Sequence, residues 1–318
     1  MSNGMIRCLA LLQAMGADPI APSIGFDAPR DQGGNRRASP AAEPTKSQGS
    51  LAPMMVLLAS LAAAFICGHA WAGDLSGRTL ALADGAVERA CSGLPTHAAL
   101  RNALTFARNQ QNGGFNLDMW GAVVNRDGIV CAVAYTGTDR GRQWPGSRVI
   151  AAQKANTANA FSLPGLALST ANLWAAVQPG GSLYGLQQSN PVDADAAYAG
   201  PAVAFGRADD PLVGRRVGGV NVFGGGLPLY NAGKALVGAI GVSGDTSCAD
   251  HNIAWRARRR LQLDWVPAGV GANGDDNINY QGIVAEPSLQ SDFSHPICKI
   301  GGVDGVSGIS AGLPPTRK

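Results

Sequence analysis

The spacing of apolar positions predicts five helices along the chain. The clearest runs over residues 97–110, where leucines recur among alanines, and Gly113 and Gly114 end it because glycine tolerates the left-handed cap conformation. The helix over 148–161 instead carries a stripe of small side chains, which suits close packing against a sheet. The predicted helices span residues 80–91, 97–110, 148–161, 168–177 and 249–263.

Short runs rich in valine and leucine predict strands that pair with their neighbours in sequence. Two of them flank a turn at 125–128 that contains Asp-Gly, which is typical of a β-hairpin. Because strands joined by tight turns run antiparallel, we expect an α+β fold, with a central antiparallel sheet of about five strands flanked by helices. The predicted strands span residues 117–124, 129–135, 217–223, 227–230 and 235–242.

The N-terminal part of the chain shows neither the helical nor the strand-like spacing of apolar residues. Residues 1–50 contain five prolines and no sustained apolar pattern, so they lack the apolar surface that would offset the entropy of ordering. We expect this segment to be disordered, or to be an extension assigned from a start site placed too early, with translation beginning nearer Met54. The second explanation would also remove Lys46, the only positive charge just ahead of the apolar run that follows.

Residues 51–72 look like a signal peptide. An apolar run from Met54 to Cys67 is interrupted only by Ser60, and Ala70-Trp71-Ala72 then predicts cleavage before Gly73. The run is shorter than the about 20 residues that span a bilayer, so no stable membrane span is expected. A buried core helix is the alternative interpretation of the same run.

Four cysteines remain after such a cleavage, namely Cys91, Cys131, Cys248 and Cys298. The signal peptide predicts a periplasmic or secreted location, and an even number of cysteines in an exported protein predicts two disulfides. Three pairings are open to four cysteines, and the sequence does not choose between them. We favour Cys248–Cys298, which would staple the C-terminal tail to the domain, together with Cys91–Cys131.

Composition and motifs exclude several classes of function. Only 15% of residues are charged and the net charge is +3, which is too small to indicate a nucleic-acid partner. The glycines at 224–226 are followed by neither Gly-Lys-Ser/Thr nor a helix, so a phosphate-binding loop is disfavoured. The segment 241–244 lacks the second glycine of a nucleophile elbow, because position 245 is Asp. No Ser/His/Asp set has a spacing that predicts catalysis.

Four blocks in the middle of the chain resemble a known family. They are Lys-Ala-Asn-Thr-Ala at 154–158, Ser-Leu-Tyr-Gly-Leu at 182–186, Gly-Gly-Gly-Leu-Pro-Leu at 224–229 and Val-Gly-Ala-Ile-Gly-Val-Ser-Gly at 237–244. In this order and near this spacing they resemble the GlcG/HbpS-like haem-binding family and the C-terminal domain of PduO-type corrinoid adenosyltransferases. The resemblance covers about residues 97–263. It implies a profilin-like fold, homo-oligomers, and haem or a related tetrapyrrole as ligand.

The resemblance also sets the domain boundaries and shows where this chain departs from its relatives. We expect one haem-binding domain over residues 73–263, with an insertion at 189–216 and a glycine-rich tail at 264–318 that short relatives lack. His251 follows Asp250 where relatives continue with an acidic pair. These departures affect the ligand and the oligomeric state more than the fold.

The site residues are carried over from the matching blocks. The resemblance implies Thr157 as a haem-iron ligand, and Lys154, on the same helix face, as a partner of a propionate. His251 is a second candidate for the iron, since histidine is a common haem ligand. Tyr184 comes with its block, and Gly224, Gly225 and Gly226 could bring backbone amides against a flat ligand. The alternatives are that Thr157 packs against the sheet, that Lys154 is solvated, and that at least one of the glycines forms a bend.

These observations predict an exported haem-binding protein that acts as a carrier, a scavenger or the partner of a sensor. An enzyme of the same fold, which degrades haem or acts on a small metabolite such as an intermediate of 2-hydroxy acid metabolism, is the alternative. A run of arginines at 256 and 258–260 suits the C-terminal end of a helix, where positive charge is favoured, or else forms a docking surface for anions.

Overall fold

The computed structural model describes residues 85–281, 292–299, 309–310 and 312–318. The predicted extension at 1–50 and the predicted signal peptide at 51–72 lie outside the described residues. Among the described helices, none is long and apolar enough to cross a membrane.

A four-stranded antiparallel sheet forms the centre of the fold, in the order β2-β1-β4-β3. Its strands are β1 Trp120–Asn125, β2 Val130–Tyr135, β3 Gly226–Tyr230 and β4 Leu236–Ser243, and a short parallel pair, β5 Asn279–Tyr280 and β6 Ser294–His295, lies in the tail. The helices are α1 Ala86–Ala90, α2 His97–Arg108, α3 Ser147–Phe161, α4 Leu186–Ser189, α5 Ala194–Ala197 and α6 Ser247–Arg260. The predicted α+β class and the antiparallel sheet flanked by helices are confirmed.

The predicted hairpin forms because a side chain in its turn accepts hydrogen bonds from the backbone amides of the turn. The side chain of Asn125 accepts hydrogen bonds from the amides of Asp127 and Ile129, both at 2.9 Å. Gly128 takes a left-handed conformation with φ 74°, which glycine adopts without steric cost. Strands β1 and β2 therefore pair as the Asp-Gly turn predicted.

Two elements differ from the prediction. Residues 217–223 are not a strand, because Gly218 and Gly219 have φ values of 64° and 76° and so interrupt an extended run; the sheet has four strands rather than about five. The helix predicted over 168–177 is two short 3₁₀ helices, Thr170–Leu173 and Ala175–Val177. The helix predicted over 80–91 begins before the described residues, and within them it forms α1, Ala86–Ala90.

Helices cover both faces of the sheet. Helices α2 and α6 pack on one face and α3 on the other, so the strands are buried on both sides. The alanine stripe of α3 has a clear role here, because a Cβ at Gly241 of β4 would lie only 1.9 Å from the carbonyl oxygen of Ala151. Small residues on both elements let the backbones approach closely.

The insertion and the tail are each attached by a buried arginine–aspartate pair. Arg148 of α3 donates from Nε to Asp210 in the insertion at 2.9 Å and from Nη1 to the Ala197 carbonyl at 2.9 Å. Arg258 of α6 donates to Asp276 in the tail at 2.6 and 2.8 Å. The insertion and the described part of the tail around Asp276 are therefore packed against the helices of the domain.

Both favoured disulfides are present. Cys91–Cys131 links the segment after α1 to β2, and Cys248–Cys298 links the first turn of α6 to the tail, with Cα–Cα distances of 5.5 and 6.1 Å. Of the three pairings open to four cysteines, the structure thus has the favoured one.

Candidate functional site

The N-terminal half of α6 meets the glycine loop at 224–226 and the middle of α3, and this junction brings several predicted site residues together. Lys154 lies on α3 with its ammonium group buried under the loop. Its Nζ donates to Asp250 Oδ2 at 2.7 Å and to the Val242 carbonyl at 3.1 Å. Lys154 is therefore neither solvated nor open to a propionate in this conformation, because its charge is held by Asp250.

The glycines make this close junction possible. Gly225 has φ 115°, and a Cβ at Gly224 or Gly226 would come within 2.4 Å of the carbonyl of Ser247 or of Lys154, respectively. The amide of Gly224 donates to Ser247 Oγ at 2.6 Å and that of Gly226 donates to Thr170 Oγ1 at 2.9 Å. At least these two amides are used within the protein, so the glycines serve close backbone approach here.

Asp250 is a site residue that the sequence reasoning passed over as a mere departure from its relatives. Burial raises the pKa of its carboxyl to about 6, although the ion pair with Lys154 opposes the shift. Its other oxygen accepts a 2.9 Å hydrogen bond from the Asp245 amide. The signal that could have revealed it is Lys154 itself, since a lysine on a small-residue helix face needs a buried acid as partner.

His251 is buried with 0% of its surface exposed. Burial lowers the pKa of its imidazole to about 3, and the positive charge of Arg258 adds to the effect. No described residue makes a hydrogen bond of normal geometry to either ring nitrogen. The ring is therefore neutral at pH 7, and the side chain of Asn277, a described residue of the tail, is close enough to oppose the lowering of its pKa.

Ser247 and His295 form a hydrogen-bonded pair beside the loop, which sequence reasoning missed. Ser247 Oγ lies 2.8 Å from His295 Nε2, while His295 Nδ1 lies 2.7 Å from the Pro296 carbonyl. Because a carbonyl only accepts, Nδ1 carries the proton and Nε2 accepts from the serine hydroxyl. Burial lowers the pKa of His295 to about 4. The two residues are 48 positions apart, and the neighbouring Cys248–Cys298 bond joins their segments.

Thr157 and Tyr184 are placed differently from the other predicted site residues. Thr157 is fully buried; its hydroxyl donates to the Gln153 carbonyl at 2.8 Å and accepts from the Asn221 amide at 3.0 Å. It ties α3 to the 217–223 segment, as the packing alternative expected, and its role as an iron ligand stays a prediction. Tyr184 is 66% exposed, and the structure does not bring its side chain into the junction.

The family comparison places the chain in a known group. The model of the haem degrading protein HbpS-like family matches residues 96–259, which is more than half of the chain. The protein therefore belongs to the HbpS-like family, and the resemblance noted in its four blocks is confirmed. The matched residues include the whole central sheet and the junction around Lys154, the glycine loop and His251.

Solved structures give further, weaker likenesses. The PduOC:heme complex is 23% identical over 51% of this chain and 89% of that chain, with a TM-score of 0.36. The Klebsiella pneumoniae protein ORFY is 26% identical over 52% and 90%, with a TM-score of 0.35. A double mutant of Streptomyces reticuli HbpS is 18% identical over 69% and 97%, with a TM-score of 0.30. The comparison with curated proteins gave no match.

The residues of the junction can be tested against what haem requires, which is an axial donor to the iron and space for a flat ring. The donor requirement is met by His251, whose imidazole is neutral and whose ring nitrogens make no hydrogen bond of normal geometry to a described residue. Thr157 is a poorer iron ligand, since its hydroxyl proton and one of its two lone pairs are already used in hydrogen bonds. Because His251 has no exposed surface, a ligand would reach it only after neighbouring residues move. Two of these neighbours, Asn277 and His295, belong to the tail.

Proposed function

We propose that this protein binds haem or a related tetrapyrrole. The observation that carries the proposal is the family match over residues 96–259, because the matched range contains the junction with its neutral, buried histidine.

His251 would hold the iron, and Thr157 is the second candidate. When bound, haem supplies an iron centre whose reactivity depends on its axial ligand and on the polarity around it. The protein's own contribution is to keep the imidazole unprotonated, which burial does by lowering its pKa to about 3. Lys154 stays paired with Asp250 and holds α3 against the start of α6.

The cellular role belongs to the same proposal. Two disulfides are typical of an oxidising compartment, which supports a periplasmic or secreted protein that acts as a haem carrier, a scavenger or the partner of a sensor. Assembly into a homo-oligomer is part of the proposal through the family resemblance. The description of the matched family as haem degrading favours one alternative, an enzyme that breaks haem down.

Titration of the full chain with haemin tests the binding. We expect a saturable, stoichiometric change in the Soret band, and a spectrum without saturation would contradict the proposal. His251→Ala should change the Soret position, because it removes the iron donor, whereas His97→Ala should not. His97 is a matched control because it lies on a different helix, α2, where its ring makes a hydrogen bond to the Gly206 carbonyl. A shift with Thr157→Ala and none with His251→Ala would make Thr157 the ligand instead.

Degradation is tested on the haem complex itself. Incubation with a reductant, or with peroxide, should leave the Soret band intact if the protein is a carrier. Loss of the band together with release of iron and a linear tetrapyrrole product would favour the enzyme. Free haemin treated in the same way is the control.

A further inference from the structure

A second candidate site lies at the other end of α6, away from the junction. A cavity of about 380 Å³ opens where the last turn of α6 meets α2 and the C-terminal segment. This volume falls at the lower end of the range for small-molecule sites. Its wall includes Phe106, Arg256, Arg259, Arg260, Pro314 and Arg317.

The cavity carries an excess of positive charge. Four arginines line it, and the carboxylate that pairs with them among the described residues is Asp264. Asp264 bonds to Arg259 at 3.0 Å and also to Arg317, so one negative charge is shared by two guanidinium groups. The arginine at 258 belongs to the same run in sequence but points inward to Asp276 and does not contribute.

The guanidinium groups are held in place before any ligand arrives. Arg259 Nη1 also donates to the Pro315 carbonyl at 2.7 Å, Arg256 Nη1 donates to the Asn112 side chain, and the Arg260 guanidinium lies 4.9 Å from the centre of the Phe106 ring. The hydrogen bonds that the guanidinium groups of Arg256, Arg259 and Arg317 donate to described residues all come from Nη1. The remaining N–H groups leave donor capacity for a ligand, because each guanidinium has five N–H groups.

The helix dipole does not account for this arrangement. It favours cations in the last turn of α6, which explains Arg259 and Arg260. It does not explain why Arg317, from the end of the chain, and Phe106, from α2, converge on the same cavity.

We propose that this cavity binds a small organic dianion, a phosphate ester or a dicarboxylate. Arginine suits this ligand class because its planar, forked N–H groups match the oxygens of phosphate and carboxylate. The site is separate from the junction, since ten residues of helix between Asp250 and Arg260 span about 15 Å. The Phe106 ring offers an apolar surface for the carbon skeleton of the ligand.

Calorimetric titration of the full chain tests this site. The probes are glucose 6-phosphate against glucose, and succinate against succinamide, so that each pair differs in charge. At least one dianion should bind and neither neutral molecule should; the dianion that binds tells phosphate from carboxylate recognition. Raising salt from about 50 to about 500 mM should weaken binding, because exposed charges are screened. Binding of neither dianion, or equal binding of a neutral partner, would overturn the proposal.

Variants then locate the binding. Arg260→Gln should weaken the dianion about tenfold, the loss expected for one charge-assisted hydrogen bond. Arg140→Gln, an exposed arginine outside the cavity, should leave affinity unchanged. Equal losses in both variants would show non-specific attraction instead. If saturating haemin abolished dianion binding, the claim of a separate site would be wrong; unchanged affinity would support it.

Discussion

The two ends of helix α6 use polar residues in opposite ways. At the N-terminal half, Asp250 and His251 are fully buried, one paired with Lys154 and the other kept neutral by burial. At the C-terminal end, Arg260 is exposed and Arg259 partly so, beside a cavity with more positive than negative charge. One helix therefore joins a closed junction, which the family resemblance pointed to, with an open cationic cavity, which it did not.

The difference lies in what covers each end. The tail crosses the N-terminal half, with the Cys248–Cys298 bond and the Ser247–His295 pair attaching it there. Charge in this half is tolerated only where a partner is present, because an unpaired buried ion is costly. At the other end water can solvate excess charge, so four arginines share one carboxylate, that of Asp264, and keep N–H groups available to a ligand.

The largest expected effect tests the closed end. Lys154→Met removes the partner of Asp250 and should lower the free energy of unfolding by about 3–5 kcal/mol, because it leaves a buried carboxyl without its counter-charge. Chemical denaturation at pH 7 measures this. Lys154→Met/Asp250→Asn should recover part of the loss, since no charge is then stranded; a double variant less stable than the single one would contradict the account.

Removal of the disulfide that tethers the tail should have the next largest effect on stability. Cys248→Ser/Cys298→Ser opens a link across 50 residues and should cost about 2–5 kcal/mol. Hydrogen exchange should show loss of protection around β5 and the start of α6. Cys91→Ser/Cys131→Ser also loses stability but should leave exchange around β5 unchanged, and equal loss of protection there in both variants would argue against a local tether.

The pH dependence of stability sharpens the comparison further. His251 has a folded pKa of about 3, below its ordinary 6.5, so the unfolded chain binds the extra proton between these values. Its contribution to stability is full above pH 6.5 and is lost as pH falls toward 3, by about 1.4 kcal/mol per pH unit. Asp250 has a pKa raised to about 6, so the folded chain binds the extra proton between pH 3.8 and 6. Its contribution to the free energy of unfolding therefore falls as pH rises through this range.

His251→Gln should therefore reduce the slope of unfolding free energy against pH, compared with the unaltered protein, by about 1 kcal/mol per pH unit between pH 4 and 6. Arg260→Gln, at the open end, should leave the slope as it is. Parallel profiles for His251→Gln and the unaltered protein would mean that the imidazole is not buried in the neutral form.

The smallest effect belongs to the open end. Arg260→Gln should change the free energy of unfolding by no more than about 0.5 kcal/mol, because its side chain is exposed and forms no described ion pair. A stability loss comparable to that of Lys154→Met would show that the cationic cavity is a structural feature rather than a site held ready for a ligand.

Much of the fold was predictable because its signals are local. The Asp-Gly turn indicated the hairpin, the apolar spacing indicated α2, α3 and α6, and the four blocks indicated the family. The strand predicted at 217–223 was wrong because the backbone angles of two adjacent glycines outweighed the apolar pattern. The favoured disulfides were correct, since a staple on a loop-rich tail is what a long C-terminal segment needs.

The arrangement of the site was only partly accessible. The blocks located Lys154, the glycine loop and His251, but not the partner of each. Asp250 meets Lys154 across 96 positions and His295 meets Ser247 across 48, and no pattern of period two or 3.6 encodes such distances. The arginine run showed the same limit, because its local spacing did not tell that Arg258 turns inward to Asp276 while its neighbours line a cavity.

Residue order alone thus specified most of the elements, the antiparallel hairpin of β1 and β2, and the family, because the signal for each lies in residues close together in the chain. Only the packed structure decided which charges are paired, which histidine is neutral and where a cavity opens. These properties depend on how much water each group keeps, and that is set by segments far apart in sequence, above all the insertion packed on α3 and the described part of the tail packed on α6.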